Sequence, residues 1–213
     1  MTWSLNRLKT FEACHAKFNY QYNVGLERGP AGPAAQRGID IHKEIENSIK
    51  GITPEPHAAG HVSQHLAALK LSGCPVHAEY NLKLDREWKA VLSGDYWYHG
   101  VIDLLAFPEP GLAHIRDWKT GKIYPDHDQQ KELYSLAVFC AFPETQEIQT
   151  FFDYLDLGKT ITRTFHPHMI DPAKERWSAR VARMEAATEF MPMPGYACRW
   201  CNYSQSKGGP CRF

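Results

Sequence analysis

The chain has 213 residues, of which 43% are hydrophobic and 23% charged, and its formal net charge is zero. Such a composition supports one core-forming domain and excludes disordered, collagen-like and low-complexity classes. No apolar run approaches the roughly 18 residues of a membrane helix, and the opening MTWSLNRLKTFEACHAKF lacks a signal-peptide core. A soluble cytoplasmic protein with no membrane association is therefore expected.

Charge is distributed unevenly. Residues 1–37 carry five Lys/Arg against two Asp/Glu, residues 174–213 carry seven against three, and residues 38–173 carry twelve against nineteen. If the two ends meet, they make a basic surface beside an acidic centre that needs cations, which suits a metal-dependent site acting on a polyanion.

Leu8, Phe11, His15, Phe18 and Tyr22 recur at helical spacing and predict a first helix that also carries Cys14. A second helix runs from Gln36 to Ile49 with Ile41, Ile45 and Ile49 on its buried stripe. His42 lies beside that stripe, as a structural histidine or as a metal ligand. Pro54 and Pro56 mark a loop, followed by a helix around Val62–Leu71. Val76–Leu84 alternates as a strand, and Trp88–Ser93 is read as its partner. Glu79, near the middle of the first of these, is either solvent-facing or an extra metal ligand.

Val101–Leu105 and the stretch around Ile115 read as apolar strands, each with an Asp that is costly to bury unless paired or bound to metal. Residues two apart in a strand share a face, so Asp117 and Lys119 point together and Trp118 points away. The turn-rich Phe107–Leu112 makes a hairpin. A loop of odd length centred near Pro110 sets Asp103 opposite Asp117, with Cβ atoms about 5 Å apart. Carboxylates that close repel unless a hard cation lies between them. A neighbouring lysine fits the transition state of phosphodiester cleavage, where negative charge builds on oxygen. The plainer alternative is a surface Asp–Lys pair on an edge strand.

A helix from near Asp126 to Pro143 places Gln130, Leu133, Tyr134, Ala137 and Ala141 on one face. Gln130 and Tyr134, one turn apart, can present an amide and a phenol to one ligand. Gln146–Leu155 and Thr160–Phe165 are further strands. Asp171-Pro172 reads as an N-cap and first helical residue, opening a helix to about Phe190. Arg176, Arg180 and Arg183 form a stripe on it that follows a phosphate backbone or is simply solvated. Tyr196, Trp200 and Tyr203 are available to stack on unpaired bases.

There are six cysteines. Cys74 and Cys140 read as small core residues. Cys198-x2-Cys201-x9-Cys211 lies in a short Gly/Pro/Ser-rich tail that builds little core, so a metal staple explains its order. Three thiolates leave a tetrahedral zinc or an iron–sulfur cluster one ligand short, and Cys14 is the obvious fourth. Disulfides are the alternative, disfavoured in an intracellular chain. Spacing leaves zinc and iron–sulfur both open.

Taken together, His42, Asp103, Asp117-x-Lys119 and Gln130-x3-Tyr134, framed by Cys14 and Cys198-x2-Cys201-x9-Cys211, resemble the RecB-like branch of the PD-(D/E)XK nucleases. More narrowly, the chain is similar to the small iron–sulfur exonucleases of the CRISPR-associated type and their stand-alone phage versions. The resemblance implies an α/β (α+β) fold: a mixed sheet of about five strands flanked by helices, a restriction-endonuclease-like core, and N- and C-terminal segments joined by a four-cysteine cluster. One nuclease domain would span 1–213, with 1–35 and 174–213 as the cluster-bearing subregion. It implies a Mg²⁺ or Mn²⁺ ion held by His42, Asp103, Asp117 and the Trp118 carbonyl, with Glu79 as a candidate extra ligand. Lys119 would position or activate water, Gln130 and Tyr134 would contact DNA, and a [4Fe–4S] cluster would be structural, with zinc as its alternative. Asp117 stands where many relatives have Glu.

The implied activity is a metal-dependent DNA exonuclease of low sequence specificity, acting on single-stranded or end-processed DNA in recombination, repair, replication or phage DNA metabolism. Helicase, recombinase or single-strand-binding partners and oligomers are compatible with it. The competing class is a non-catalytic, nuclease-derived module that binds DNA and recruits partners, with the nuclease site kept but idle beside a structural four-cysteine metal site.

Overall fold

The computed structural model describes residues 1–30, 32–54 and 56–213. The chain divides into two compact units, Met1–Ala31 with Arg176–Phe213, and Gly32–Glu175. No helix among the described residues is long and apolar enough to cross a membrane.

The larger unit is built on a five-stranded sheet. Its strands are β1 (Val76–Leu84), β2 (Tyr98–Glu109), β3 (Leu112–Lys119), β4 (Glu147–Tyr154) and β5 (Lys159–Phe165), hydrogen-bonded in that order. β3 and β4 pair in parallel and every other neighbour antiparallel, so the sheet is mixed. Helices α3 (Pro33–Ile49) and α4 (Ser63–Ser72) precede the sheet in sequence, and α5 (His127–Ala141) makes the β3-to-β4 crossover that a parallel pair requires. Ile45 of α3 and Leu66 and Leu69 of α4 pack with Leu104, Ala106 and Trp118 in one buried cluster. The other face meets α5, where Leu133, Leu136, Ala137 and Val138 are buried. The expected mixed sheet of five strands flanked by helices, an α+β fold, is what forms.

In the smaller unit, α1 (Leu5–Ala13) is N-capped by Ser4, whose hydroxyl accepts from the Arg7 amide. The expected first helix is not continuous. Cys14 is extended (φ −167°, ψ 114°), and the chain resumes as α2 (His15–Phe18) and a π-turn over Asn19–Asn23. The apolar spacing continues across the break because Phe11 and Phe18 still meet, ring to ring at 5.3 Å. Burial of that stripe explains why periodicity alone conceals the interruption.

Two further expectations fail at element ends. Trp88–Ser93 is not a strand: it meets the end of β1 only through the Leu84–Ala90 bridge and the Val91 amide on the Lys83 carbonyl. Asp85 Oδ1 accepts from the Glu87 and Lys89 amides, and Trp88 adopts φ 61°, so the chain turns instead of extending. β2 itself supplies the whole partner for β1. The last helix, α6, is Ile170–Glu185. Asp171 is therefore inside the first turn, not at the cap, and Pro172 fits there because first-turn amides need no intrahelical partner.

Arg116 and Asp153 form a bidentate pair across β3 and β4 (2.9 and 3.1 Å), with side chains only 5% and 0% exposed. Thr160 Oγ1 donates a third bond to Asp153, at 2.6 Å. Replacing one partner strands the other charge in the interior. Asp153→Ala is expected to lower unfolding stability by about 3–5 kcal/mol, read from urea midpoints; a change within experimental error would show that the pair contributes nothing.

Candidate active site

The β2–β3 hairpin sets the site. Its tip is the two residues Pro110 and Gly111, Gly111 at φ 77°, and a bulge lies between Ala106 and Glu109. The expected odd-length loop is thus a two-residue turn plus one bulged residue, which has the same effect on register. Leu104 pairs with Arg116, so the next positions in that register are Asp103 and Asp117. Both are buried, at 8% and 2% exposure. The Trp118 amide donates to Asp103 Oδ2 at 2.8 Å, while the Trp118 indole packs in the core on the α3/α4 side.

His42 reaches this hairpin from α3. Its Nε2 lies 2.8 Å from the Trp118 carbonyl oxygen and its Nδ1 lies 3.4 Å from Asp103 Oδ2. His42, Glu79 and Asp103 each offer a ligand atom, and all three atoms lie within 4.8 Å of one another. Glu79 is there at a conformational cost: within β1 it takes φ 51°, a region that costs a non-glycine residue about 1–2 kcal/mol. Strain of this kind concentrates at functional sites.

On the α5 side, Lys119 Nζ stands 2.6 Å from Asp117 Oδ2 and donates to Gln130 Oε1 at 2.9 Å. Asp117 Oδ2 receives no well-aligned hydrogen bond despite that closeness, so the contact is ionic. Gln130 Nε2 donates to Asp117 Oδ1 and to Tyr134 Oη, each at 2.9 Å. Gln130 therefore fixes Asp117 and Lys119 at once, and the buried Tyr134 phenol holds Gln130.

These surroundings decide protonation. Burial disfavours charged His42, but hydrogen bonding to Asp103 and the charges of Asp103 and Asp117 outweigh it and raise its pKa to about 9. Burial pushes Asp117 well above the usual carboxylate range; Asp103 adds to this, and Lys119 opposes it. Burial, then Asp103, raises Glu79 as well. Negative charge is therefore in excess here, and protons hold the place of a cation. The donor set of carboxylates, imidazole and a carbonyl suits a divalent ion. Asp117 Oδ2, buried without an aligned donor, is the sort of atom such an ion satisfies.

A cavity of about 470 Å³ and another of about 430 Å³ flank α3. The second is lined by Ala34, Ala35, Gly38, Lys43 and Thr120 and opens on His42 and Glu79. Sequence reading passed over this groove, whose signal was the run of small residues at the start of α3. It also passed over Lys131, which is 1% exposed, pairs with Asp128 at 2.9 Å, and lies 5.1 Å from the Phe152 ring, whose centre is 5.0 Å from Lys119.

The remaining predicted residues lie in the smaller unit. Arg180 makes a bidentate pair with Glu12 (2.8 and 2.7 Å) and stacks 4.3 Å above Trp177. Arg183 lines a cavity of about 690 Å³ with Glu12, His15 and Arg180, and Arg176 is one turn before Arg180 on α6. Cys14, Cys198, Cys201 and Cys211 are free thiols that all line one cavity of about 310 Å³. No three of them approach within 4.8 Å among the described residues. The Met193 amide donates to Cys14 Sγ at 3.4 Å and the Gly195 amide to Cys198 Sγ at 3.3 Å. Gly209 is required: a Cβ there would lie 2.3 Å from the Tyr203 backbone, and that close approach lets the Cys211 amide reach Tyr203 O at 2.9 Å.

A family model for the PD-(D/E)XK nuclease superfamily matches residues 2–97 and 75–206. No curated protein matches the chain. Among solved structures, an Eubacterium rectale protein provisionally named as an exonuclease aligns with a TM-score of 0.55 and 12% identity over 97% of this chain and 87% of its own. The protein SSO0001 aligns with a TM-score of 0.50 and 15% identity over 100% and 87% respectively. At such identity these likenesses concern the fold alone.

Because His42 and Asp117 both hold protons more tightly than usual, a cation binding beside them would have to displace those protons. Mn²⁺ affinity is expected to rise as pH increases from 6 toward 9, with protons released on binding. Titration calorimetry in buffers of different ionisation enthalpy reads this directly; pH-independent binding without proton release would put the cation away from His42 and Asp117.

Proposed function

Since the chain belongs to the PD-(D/E)XK nuclease superfamily, we propose that it is a Mg²⁺- or Mn²⁺-dependent deoxyribonuclease. More narrowly, it is a RecB-like exonuclease that hydrolyses single-stranded or end-processed DNA with little sequence specificity. The observation that carries this reading is the pair of buried, register-opposed carboxylates Asp103 and Asp117, with His42 and Glu79 on one side and Lys119 on the other.

In this reading His42, Asp103, Asp117 and the Trp118 carbonyl hold the catalytic ion, with Glu79 as an extra ligand. The ion supplies Lewis-acid polarisation of the phosphate and a water of lowered pKa. Lys119, anchored by Asp117 and Gln130, places a fixed positive charge where negative charge develops on the phosphate oxygens. Gln130 reaches the DNA strand by giving up one of its amide hydrogen bonds, and Tyr134 acts through it as a positioning residue. The groove along the start of α3 gives the DNA backbone a route to the site. Arg176 and Arg183 are further phosphate contacts, and Arg180 joins them by exchanging Glu12 for phosphate. Contacts of this kind follow backbone and not base edges, hence the low sequence specificity.

The four cysteines are proposed to hold a structural [4Fe–4S] cluster. A single zinc with bonds of about 2.3 Å needs sulfurs about 3.8 Å apart, closer than three of these thiols come. A cavity lined by all four, with backbone amides directed at two sulfurs, suits a polynuclear cluster better. DNA is the proposed substrate, and the site of action is the cytoplasm of a cell or infected host.

Asp117→Ala and Lys119→Ala are each expected to slow Mn²⁺-dependent degradation of labelled single-stranded DNA by about 100-fold or more; undiminished cleavage would remove those residues from the chemistry. Anaerobically purified protein is expected to be brown and to contain iron and acid-labile sulfide, both lost in Cys201→Ser. A colourless, zinc-loaded preparation would replace the cluster with a zinc staple.

A further inference from the structure

Five of the six tryptophans are no more than 7% exposed, whereas Trp200 is 58% exposed and its neighbour Tyr196 70%. Tryptophan is a highly buried residue on average, and two large rings left side by side in water call for an occupant. They are held in place: the 3₁₀ turn Tyr196–Trp200 lies between Gly195, whose amide bonds Cys198 Sγ, and Cys201, whose amide bonds the Cys198 carbonyl. The rings meet edge to face at 4.7 Å. The Arg199 guanidinium lies 3.9 Å from the Tyr196 ring centre and 5.1 Å from that of Trp200. Arg212 stacks at 5.0 Å on Phe213, which is 42% exposed.

Charge narrows the partner. Residues 190–213 contain Arg199, Lys207 and Arg212 and no Asp or Glu. Exposed rings, a guanidinium plane among them and an absence of acids match a polymer that offers both flat π-faces and phosphates, and a duplex keeps its base faces stacked away. We propose that Tyr196, Arg199 and Trp200 form a base-stacking platform for single-stranded DNA. This deepens the nuclease reading by naming the surface that holds the strand, and rests on that reading for the polymer. Tyr203 does not belong to the platform: it is 4% exposed and its hydroxyl donates to the Leu26 carbonyl.

The test is fluorescence anisotropy of a labelled oligothymidylate with the full chain in EDTA, so that binding is read without cleavage. Tyr196→Ala and Trp200→Ala are each expected to weaken binding about tenfold or more. Trp200→Phe should restore most of the loss, and affinity for blunt duplex should hardly move. Because binding is read in EDTA, a failure of catalysis would leave this result standing. Unchanged strand affinity in Tyr196→Ala and Trp200→Ala, as a face made for another protein would give, overturns the proposal. So does an equal loss on duplex and strand, or a loss that Trp200→Phe does not repair.

Discussion

Two carboxylates facing each other from adjacent buried strands are the constraint around which the larger unit is organised. Asp103 and Asp117 together cost more to desolvate than either alone, and each destabilises the charge of the other. Four groups brought to this part of the β2–β3 hairpin answer that cost. The Trp118 amide and His42 serve Asp103; Lys119 and Gln130 serve Asp117. Helix α5 carries an amide and a phenol on a stripe that otherwise packs as core, because Asp117 and Lys119 have to be satisfied there. The resulting pattern, with His42 and Asp117 both holding protons more tightly than usual, describes a pocket arranged for positive charge.

Glu79 shows the same demand in backbone form. A glutamate in the left-handed region within a strand sacrifices local comfort to bring a third acidic group beside His42 and Asp103. The arrangement remains because β1 is otherwise paired in unbroken register on both sides of it. Across the sheet, the buried Arg116–Asp153 pair solves a different problem with the same means, two opposite charges that satisfy each other and a threonine hydroxyl. The first arrangement gathers carboxylates that repel one another; the second balances one charge against its opposite.

The smaller unit obeys another logic. Its C-terminal stretch is too short and too rich in glycine, proline and serine to build a core, and its order depends on turns closed around sulfurs. The break at Cys14, the amides on Cys14 and Cys198, and the tight packing of Gly209 on Tyr203 all bring thiols to the wall of one cavity. Trp3 and Trp177, stacked at 6.2 Å, and the aromatic run Phe11, Phe18 and Phe190 supply the apolar packing.

Much of this was legible in the amino-acid order, because period-2 alternation and helical spacing register burial directly. The strands of β1 to β5, the hairpin opposition of Asp103 and Asp117, the shared face of Asp117 and Lys119, and the one-turn spacing of Gln130 and Tyr134 all follow from local geometry. Other features depended on contacts distant in sequence. Trp88–Ser93 has the composition of a strand, yet the Asp85 carboxylate captures the Glu87 and Lys89 amides and turns the chain, and β2 pairs along β1 instead. Cys14 interrupts a helix whose apolar repeat runs on, since that repeat records what is buried and not what is hydrogen-bonded. The orientation of His42 toward Trp118 and Asp103, the left-handed turn at Glu79 and the burial of Tyr203 beside exposed Trp200 were decided only in three dimensions. Sequence by itself determined which residues could be ligands, because chemistry belongs to the side chain. Tertiary structure alone decided which of them meet, because that depends on the register of strands and the packing of helices between them.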